Sequence, residues 1–346
     1  MKIGTREIGP GHPCYIVAEL SANHGGSFDQ CEATLRAMKE SGADAVKVQT
    51  YTADTLTIPS SKEPFVIGGG TLWDGRTLHD LYKEAYMPWD WQPQLQKLAS
   101  ELGMDFFSTP FDETSVDFLE EMNLPVHKIA SFELVDLPLL RKIAATHKPV
   151  IMSTGMATLE EIEEALATLR EANSGPVALL KCTSAYPAAP DEMNLRTIPD
   201  MAARFKVPIG LSDHTMGHVV TTAAVTLGAC IVEKHFILSR SLPGPDSSFS
   251  MEPQEFREMV NAIRITEQAL GKINYEVSAK EAKSRIFRRS LFVTASIKAG
   301  EQLTLENVRC IRPAHGLHPR HLDAVLGCIA KQDIEAGTPL DWNLFK

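Results

Sequence analysis

The chain has 346 residues, 44% of them hydrophobic and 23% charged, the balance of an ordinary folded protein with room for a large core and a smaller companion domain. Its net charge of -10 at pH 7 excludes nonspecific nucleic-acid binding through a basic face, although local cations can still hold an anionic substrate. No stretch is long and apolar enough to span a membrane, and the N-terminal MKIGTREIGPGH lacks the apolar core of a signal peptide. The six cysteines, at 14, 31, 182, 230, 310 and 328, form no C-x-x-C pair, which predicts reduced, mostly buried thiols in a cytoplasmic protein.

In chain order, short apolar runs recur at 14–20, 44–50, 105–110, 126–131, 149–155, 177–187, 208–214 and 230–236. They do not alternate, which fits strands covered on both faces in a parallel sheet. Amphipathic segments lie between them, such as 27–42 and 158–172, and the second opens with the capping-box pair Thr158 and Glu161. Eight such units over roughly 250 residues predict an α/β fold, a (β/α)8 TIM barrel. A doubly wound open sheet is the rival, but no Gly-rich dinucleotide fingerprint follows the first run. The long segment 51–76 is rich in Gly and turn residues, and its Trp73, with Trp89 and Trp91 beyond, points to a lid or a partner surface. A last helix near 253–271 is followed by a polar linker and a change of texture to short strands and turns. The predicted domains are a barrel at 1–272, a linker at 273–285 and a small β-rich domain at 286–346.

In such a barrel the active site collects at the C-terminal ends of the strands. Polar residues gather there: Glu19, Lys47 and Gln49, Ser108 and Thr109, Lys128 and Ser131, Ser153, Ser184 and Tyr186, Ser212 to His214, and Glu233 to His235. Strand alternation puts Glu233 and His235 on one face and Lys234 on the other. Lys47 and Lys128 would repel in a water-poor pocket unless an anion joins them. With the hydroxyls of Thr109, Ser131, Ser153, Ser184 and Ser212, they describe a phosphate or carboxylate site; the bland alternative is surface lysines and ordinary strand endings. His214 and His235 end consecutive strands about 4.8 Å apart, close enough to share a metal ion or to be ordinary buried histidines. Glu19, Glu133, Asp213 and Glu233 are acid–base candidates that pattern alone leaves unranked.

The segments AELSANHGG (18–26), AVKVQTY (45–51), STPFD (108–112), KIASFE (128–133), IMSTGM (151–156), GLSDHT (210–215), EKHF (233–236) and GPDSSFSM (244–251) together resemble the sialic acid synthase family. The stretch from RRSLFV to IRPAHGLHP resembles that family's C-terminal antifreeze-like (SAF) domain. Residues 70–91 and KCTSAYP are most similar to its pseudaminic branch; the sialic acid branch usually carries Asn where Ser184 stands. The resemblance implies condensation of phosphoenolpyruvate with an amino-sugar aldehyde and water to a nine-carbon 2-keto acid and phosphate. Its sugar would be 2,4-diacetamido-2,4,6-trideoxy-β-L-altropyranose, or alternatively N-acetylmannosamine or its 2,4-diacetamido analogue, as in N-acetylneuraminic or legionaminic acid synthases. It implies phosphoenolpyruvate held by Lys47, Thr109, Lys128, Ser131, Ser153, Ser184 and Ser212. His214 and His235 would hold a divalent metal, Mn²⁺ or a substitute such as Mg²⁺ or Co²⁺. Gln49, Glu133, Tyr186 and Asp246 would face the sugar, with Glu133 moving a proton there and Glu19 near the attacking water. Arg312 would reach the acetamido group from the small domain of the other subunit in a domain-swapped homodimer. Two other classes fit parts of the pattern: an idle sugar- or ice-binding protein, and a Schiff-base aldolase using either lysine.

Overall fold

The computed structural model describes all 346 residues, which divide into two units, Met1–Gly271 and Lys272–Lys346. In the first, eight parallel strands close into a barrel: β3 (Tyr15–Glu19), β4 (Ala45–Thr50), β5 (Asp105–Pro110), β6 (His127–Ile129), β7 (Val150–Ser153), β8 (Val177–Cys182), β9 (Ile209–Asp213) and β10 (Ile231–His235). Each pairs with the next, and β10 closes the ring on β3 with His235 beside Glu19 and Ile231 beside Tyr15. Every predicted run therefore holds a strand, and all but β4 and β5 stop a residue or more short of the run's end, where the mouth loops begin.

The apolar runs have no alternation because both faces are covered. Outward residues such as Ile16, Val46, Phe106, Met152 and Leu211 pack under the helices. Inward residues Val17, Ala45, Phe107, Val126, Ile151, Leu180 and Ile231 fill the barrel interior. Helices return the chain outside. Phe28–Glu40 is capped by the Ser27 hydroxyl, and Leu159–Glu171 carries the expected Thr158/Glu161 capping box.

The extreme N-terminus, where the sequence shows no periodic run, also carries structure. There β1 (Lys2–Ile3) and β2 (Arg6–Glu7) form a hairpin turned at Gly4, whose φ of 55° suits glycine. Ile3 and Ile8 join the interior cluster, so the hairpin plugs the end of the barrel opposite the site. Arg6 ties the plug to Asp44 at 2.9 Å and to Asp105 at 3.5 Å.

The second unit pairs β11 (Ser290–Val293) antiparallel with β12 (Val308–Ile311) over a core that includes Leu291, Ile297, Val308, Ile334 and Phe345. Its leading segment is not the featureless linker expected for 273–285: it holds a helix at Ala279–Ser284 capped by Ser278, and exposes Ile273, Tyr275 and Phe287.

Gly210 on β9 sits where the interior has no space for a side chain: a Cβ would come within 2.5 Å of the Ile231 carbonyl oxygen and 2.6 Å of Leu180 Cδ2. Gly210→Ala should lose about 2–3 kcal/mol in urea unfolding, the usual penalty for forcing atoms into a packed core. An unchanged midpoint would contradict this packing.

Candidate active site at the barrel mouth

Two residues further along each inward face, the apolar interior becomes polar. Val17 gives way to Glu19, Ala45 to Lys47 and then Gln49, and Phe107 to Thr109. Val126 gives way to Lys128, Ile151 to Ser153, Leu180 to Cys182, Gly210 to Ser212, and Ile231 to Glu233 and His235. The strand repeat of two thus builds a ring of polar side chains in one layer.

A row of alternating charges occupies its centre. Lys47 Nζ lies 2.6 Å from Glu19 Oε2 and 3.6 Å from Glu233 Oε1, and Lys128 Nζ is 4.0 Å from Glu233 Oε2. All four side chains are buried. The anion that joins the two lysines here is a carboxylate of the chain itself, Glu233. Burial, then Glu233, pushes the Glu19 carboxyl up to about 7 against the pull of Lys47. Burial also raises Glu233, but Lys128, Lys47, the Ser212 hydroxyl and His214 together hold it below the usual carboxylate range. Burial lowers Lys128, whereas its effect on Lys47 is outweighed by Glu19 and Glu233.

Hydroxyls surround the row. Lys47 donates to Thr109 Oγ1 at 3.4 Å, Lys128 to Ser153 Oγ at 2.7 Å, and Ser212 to Glu233 Oε1 at 3.1 Å. Ser131 Oγ accepts the Gly155 amide at 3.0 Å. A Cβ on Gly155 would fall 2.2 Å from Ser184 Oγ and 2.8 Å from Ser131 Oγ, so glycine keeps open a small cradle between those hydroxyls.

The second pole is the histidine pair, with ring centroids 5.4 Å apart. His214 Nδ1 is 2.9 Å from the Thr183 carbonyl, to which it can only donate, so in the neutral ring Nε2 is the bare acceptor; burial is outweighed by Cys182 and the Thr183 carbonyl, which raise the ring above its usual range. His235 Nδ1 is buried without a hydrogen-bond partner, 3.9 Å from Asp246 Oδ2. Burial, then His214, Lys47 and Lys234, holds His235 well below its usual range, as the neutral ring a metal requires. The pair fits a divalent cation through these free nitrogens. No group of three or more His, Cys, Asp or Glu converges, so the remaining ligands would be water and substrate. Behind the pair, on the outer face, Lys234 Nζ meets Asp213 Oδ2 at 2.6 Å and donates to the Thr215 carbonyl. This buried ion pair pins the residues on either side of His214.

Of the residues expected to face a sugar, Tyr186 and Asp246 lie against the histidines. The Tyr186 ring lies 4.3 Å from that of His214, and Trp73, from the long segment 51–76, packs at a tilt with its ring 6.0 Å from that of Tyr186. Trp73 Nε1 reaches the Pro245 carbonyl at 3.3 Å, so this segment covers the mouth. Trp89 and Trp91 do not: they pack on Phe118 and on Phe28 and His24 in the barrel wall. Ser21 Oγ donates to Asp246 Oδ2 at 2.5 Å and receives Gln49 Nε2 at 3.1 Å. Glu133, just past β6, has a buried Oε2 without a partner, and burial pushes its carboxyl up to about 7.

The first unit holds every candidate except Arg312, which is exposed on the second unit and makes no ion pair. Two residues expected at the mouth face outward instead. Ser108 bonds Thr50 at 2.6 Å, and Asp213 is taken up by Lys234, which removes it as an acid–base candidate. Gly155, Cys182 and Ser21 were missed. Cys182 Sγ lies 4.0 Å from His214 Nδ1, and strand parity could have placed it; Gly155 and Ser21 carry no sequence signal.

A folded-state carboxyl raised from about 4.5 to about 7 adds stability below pH 4.5 that is lost as pH rises through 7. In ligand-free protein, Glu133→Gln should therefore match wild type at pH 4 and exceed it at pH 8 by roughly 3 kcal/mol in denaturant unfolding. Equal stability at pH 8 would mean that Glu133 ionises freely.

The NeuB family model matches residues 34–275, and the SAF domain model residues 288–346. The pseudaminic acid synthase of Helicobacter pylori is 46% identical over 95% of this chain and 96% of its own length. The N,N'-diacetyllegionaminic acid synthase of Legionella pneumophila is 37% identical over 98% and 97%. Among solved structures, the N-acetylneuraminic acid synthetase of Leptospira borgpetersenii superposes with a TM-score of 0.73 at 30% identity, covering 82% of this chain and 94% of that one.

Proposed function

The chain belongs to the NeuB family and ends in a SAF domain, and from that premise we propose that it is a nonulosonic acid synthase of the pseudaminic branch. It joins phosphoenolpyruvate to 2,4-diacetamido-2,4,6-trideoxy-β-L-altropyranose and consumes one water. The products are pseudaminic acid and phosphate. The observation that carries the reading is the pairing of two poles in one mouth: a lysine–hydroxyl well for a small polyanion, beside two histidines with free nitrogens. The branch rests on 46% identity to a pseudaminic acid synthase against 37% to a legionaminic one.

Lys47 and Lys128 hold the phosphate and carboxylate, with Thr109, Ser131, Ser153, Ser184 and Ser212 as donors. Gln49, Tyr186 and Asp246 orient the open-chain sugar. His214 and His235 would hold a divalent cation, Mn²⁺ or a substitute such as Mg²⁺ or Co²⁺, which would supply Lewis-acid polarisation at the aldehyde. C3 of the enol phosphate then bonds to the aldehyde carbon, water adds at C2, and cleavage of the C2–O bond releases phosphate. Glu133, titrating near neutrality, exchanges a proton at the sugar, and Glu19, beside Lys47, exchanges one near the attacking water. The unpaired cysteines, four of them buried, support a reducing, cytoplasmic setting. Arg312 serves the acetamido group of a sugar bound in the partner's barrel, in a homodimer that exchanges its SAF domains. Its exposure without an ion pair, and the bare Ile273, Tyr275 and Phe287, support that arrangement.

Mass spectrometry of the product from phosphoenolpyruvate and the diacetamido sugar should show the nine-carbon acid, formed one for one with phosphate. Chelation should abolish its formation and Mn²⁺ restore it. Strong preference for N-acetylmannosamine would overturn the branch, and full activity of metal-free His235→Ala would overturn the metal.

The shared site has its own test. Arg312→Ala and His235→Ala homodimers should each be nearly inactive. Co-refolded at random, half the dimers are mixed, and one site in each is intact, so activity should return to roughly a quarter of normal. No recovery in demonstrably mixed dimers would mean that each chain caps itself.

A further inference from the structure

Ser21 follows β3 at the barrel mouth with φ of 47°, a left-handed conformation that residues other than glycine seldom adopt. Such backbone persists when the surroundings fix it, and it gathers at functional sites. Its buried hydroxyl has two partners, Asp246 Oδ2 and Gln49 Nε2. A carboxylate accepts, so the single hydroxyl proton goes to Asp246, and the oxygen is left to accept from Gln49. That order fixes the Gln49 amide, with Nε2 toward Ser21 and Oε1 facing away. Asp246 Oδ2 is further engaged by the Ala22 amide at 3.4 Å, while Oδ1 receives no hydrogen bond from the chain. One hydroxyl therefore sets two acceptors, Gln49 Oε1 and Asp246 Oδ1, the second on a carboxylate 3.9 Å from His235 Nδ1.

We propose that Ser21 is a specificity-determining positioning residue: by clamping Gln49 and Asp246 it presents an acceptor pair that selects a sugar carrying two adjacent donors, an acetamido N–H and a hydroxyl. The inference rests on the proposed synthase function and deepens it. Donor-matching of this kind discriminates strongly, because a ligand lacking a donor leaves a buried acceptor unpaired.

The test is Ser21→Gly, since glycine accepts this φ and removes only the hydroxymethyl group. Backbone relief at this φ opposes the loss of two hydrogen bonds, so its melting temperature should stay within a few degrees of wild type, and its KM for phosphoenolpyruvate should stay within about twofold. Its KM for the diacetamido sugar should rise about tenfold or more, and its preference for that sugar over the analogue lacking the 2-acetamido group should fall by a similar factor. Gln49→Ala should behave alike, and the double variant should be no worse than the poorer single one, as expected of groups acting through one network. An unchanged sugar KM and preference, an equal rise in both KM values, or additive losses would overturn the role of Ser21. A wild-type chain that converts none of these sugars would overturn the function with it, so the two failures are told apart by the wild type alone.

Discussion

Four buried charges in one layer of the barrel hold one another in place, and the rest of the site is arranged around them. Glu19, Lys47, Glu233 and Lys128 alternate in sign across the mouth, with Lys47 and Glu19 in contact at 2.6 Å. A lone lysine at such depth would cost several kcal/mol, and removing one partner of a buried pair leaves that penalty exposed. The row is tolerable only as a set. Glu233 stands between the lysines, where a phosphate or carboxylate of similar charge can take up the same attraction. Glu19, with its carboxyl pushed up to about 7, is the member that can change charge when an anion arrives.

The barrel makes this possible with ordinary means. Its sheet places side chains at a repeat of two, so one step beyond the packed interior delivers polar groups from all eight strands to one plane. The outer faces carry their own stiffening. The Asp213–Lys234 pair lies behind the histidines, and Ser108, Thr50 and Gln92 bond together behind β4 and β5. Charge is thereby divided between two places: a cationic well toward β4 and β6, and a histidine pair toward β9 and β10. A polyanionic donor and an aldehyde acceptor have separate seats within one mouth, the arrangement that forming a bond between them needs.

Much of this was legible in the sequence. The eight runs were readable because burial on both faces erases alternation, and their ends were readable because Lys47, Lys128 and Glu233 interrupt apolar strands and His214 directly follows one. What escaped has physical reasons. The N-terminal hairpin has two-residue strands, too short to show any period. Gly155 matters for the side chain it lacks, and Ser21 for a backbone conformation that its residue type does not announce. Asp213 was read as a mouth residue although it follows Ser212 by one, and parity alone sends it outward, as it does Lys234. Arg312 lies in a unit whose residues carry no periodic signal toward the barrel, and its role came only from resemblance.

The charged row makes one demand that is independent of turnover. Binding phosphoenolpyruvate adds negative charge beside Glu19, which must raise its proton affinity further. Calorimetric titration of phosphoenolpyruvate at pH 8, in buffers of differing ionisation enthalpy, measures that proton directly. The account predicts net uptake approaching one proton per site in wild type, and its loss in Glu19→Gln with binding retained. Binding without proton uptake, or uptake unchanged in Glu19→Gln, would contradict it.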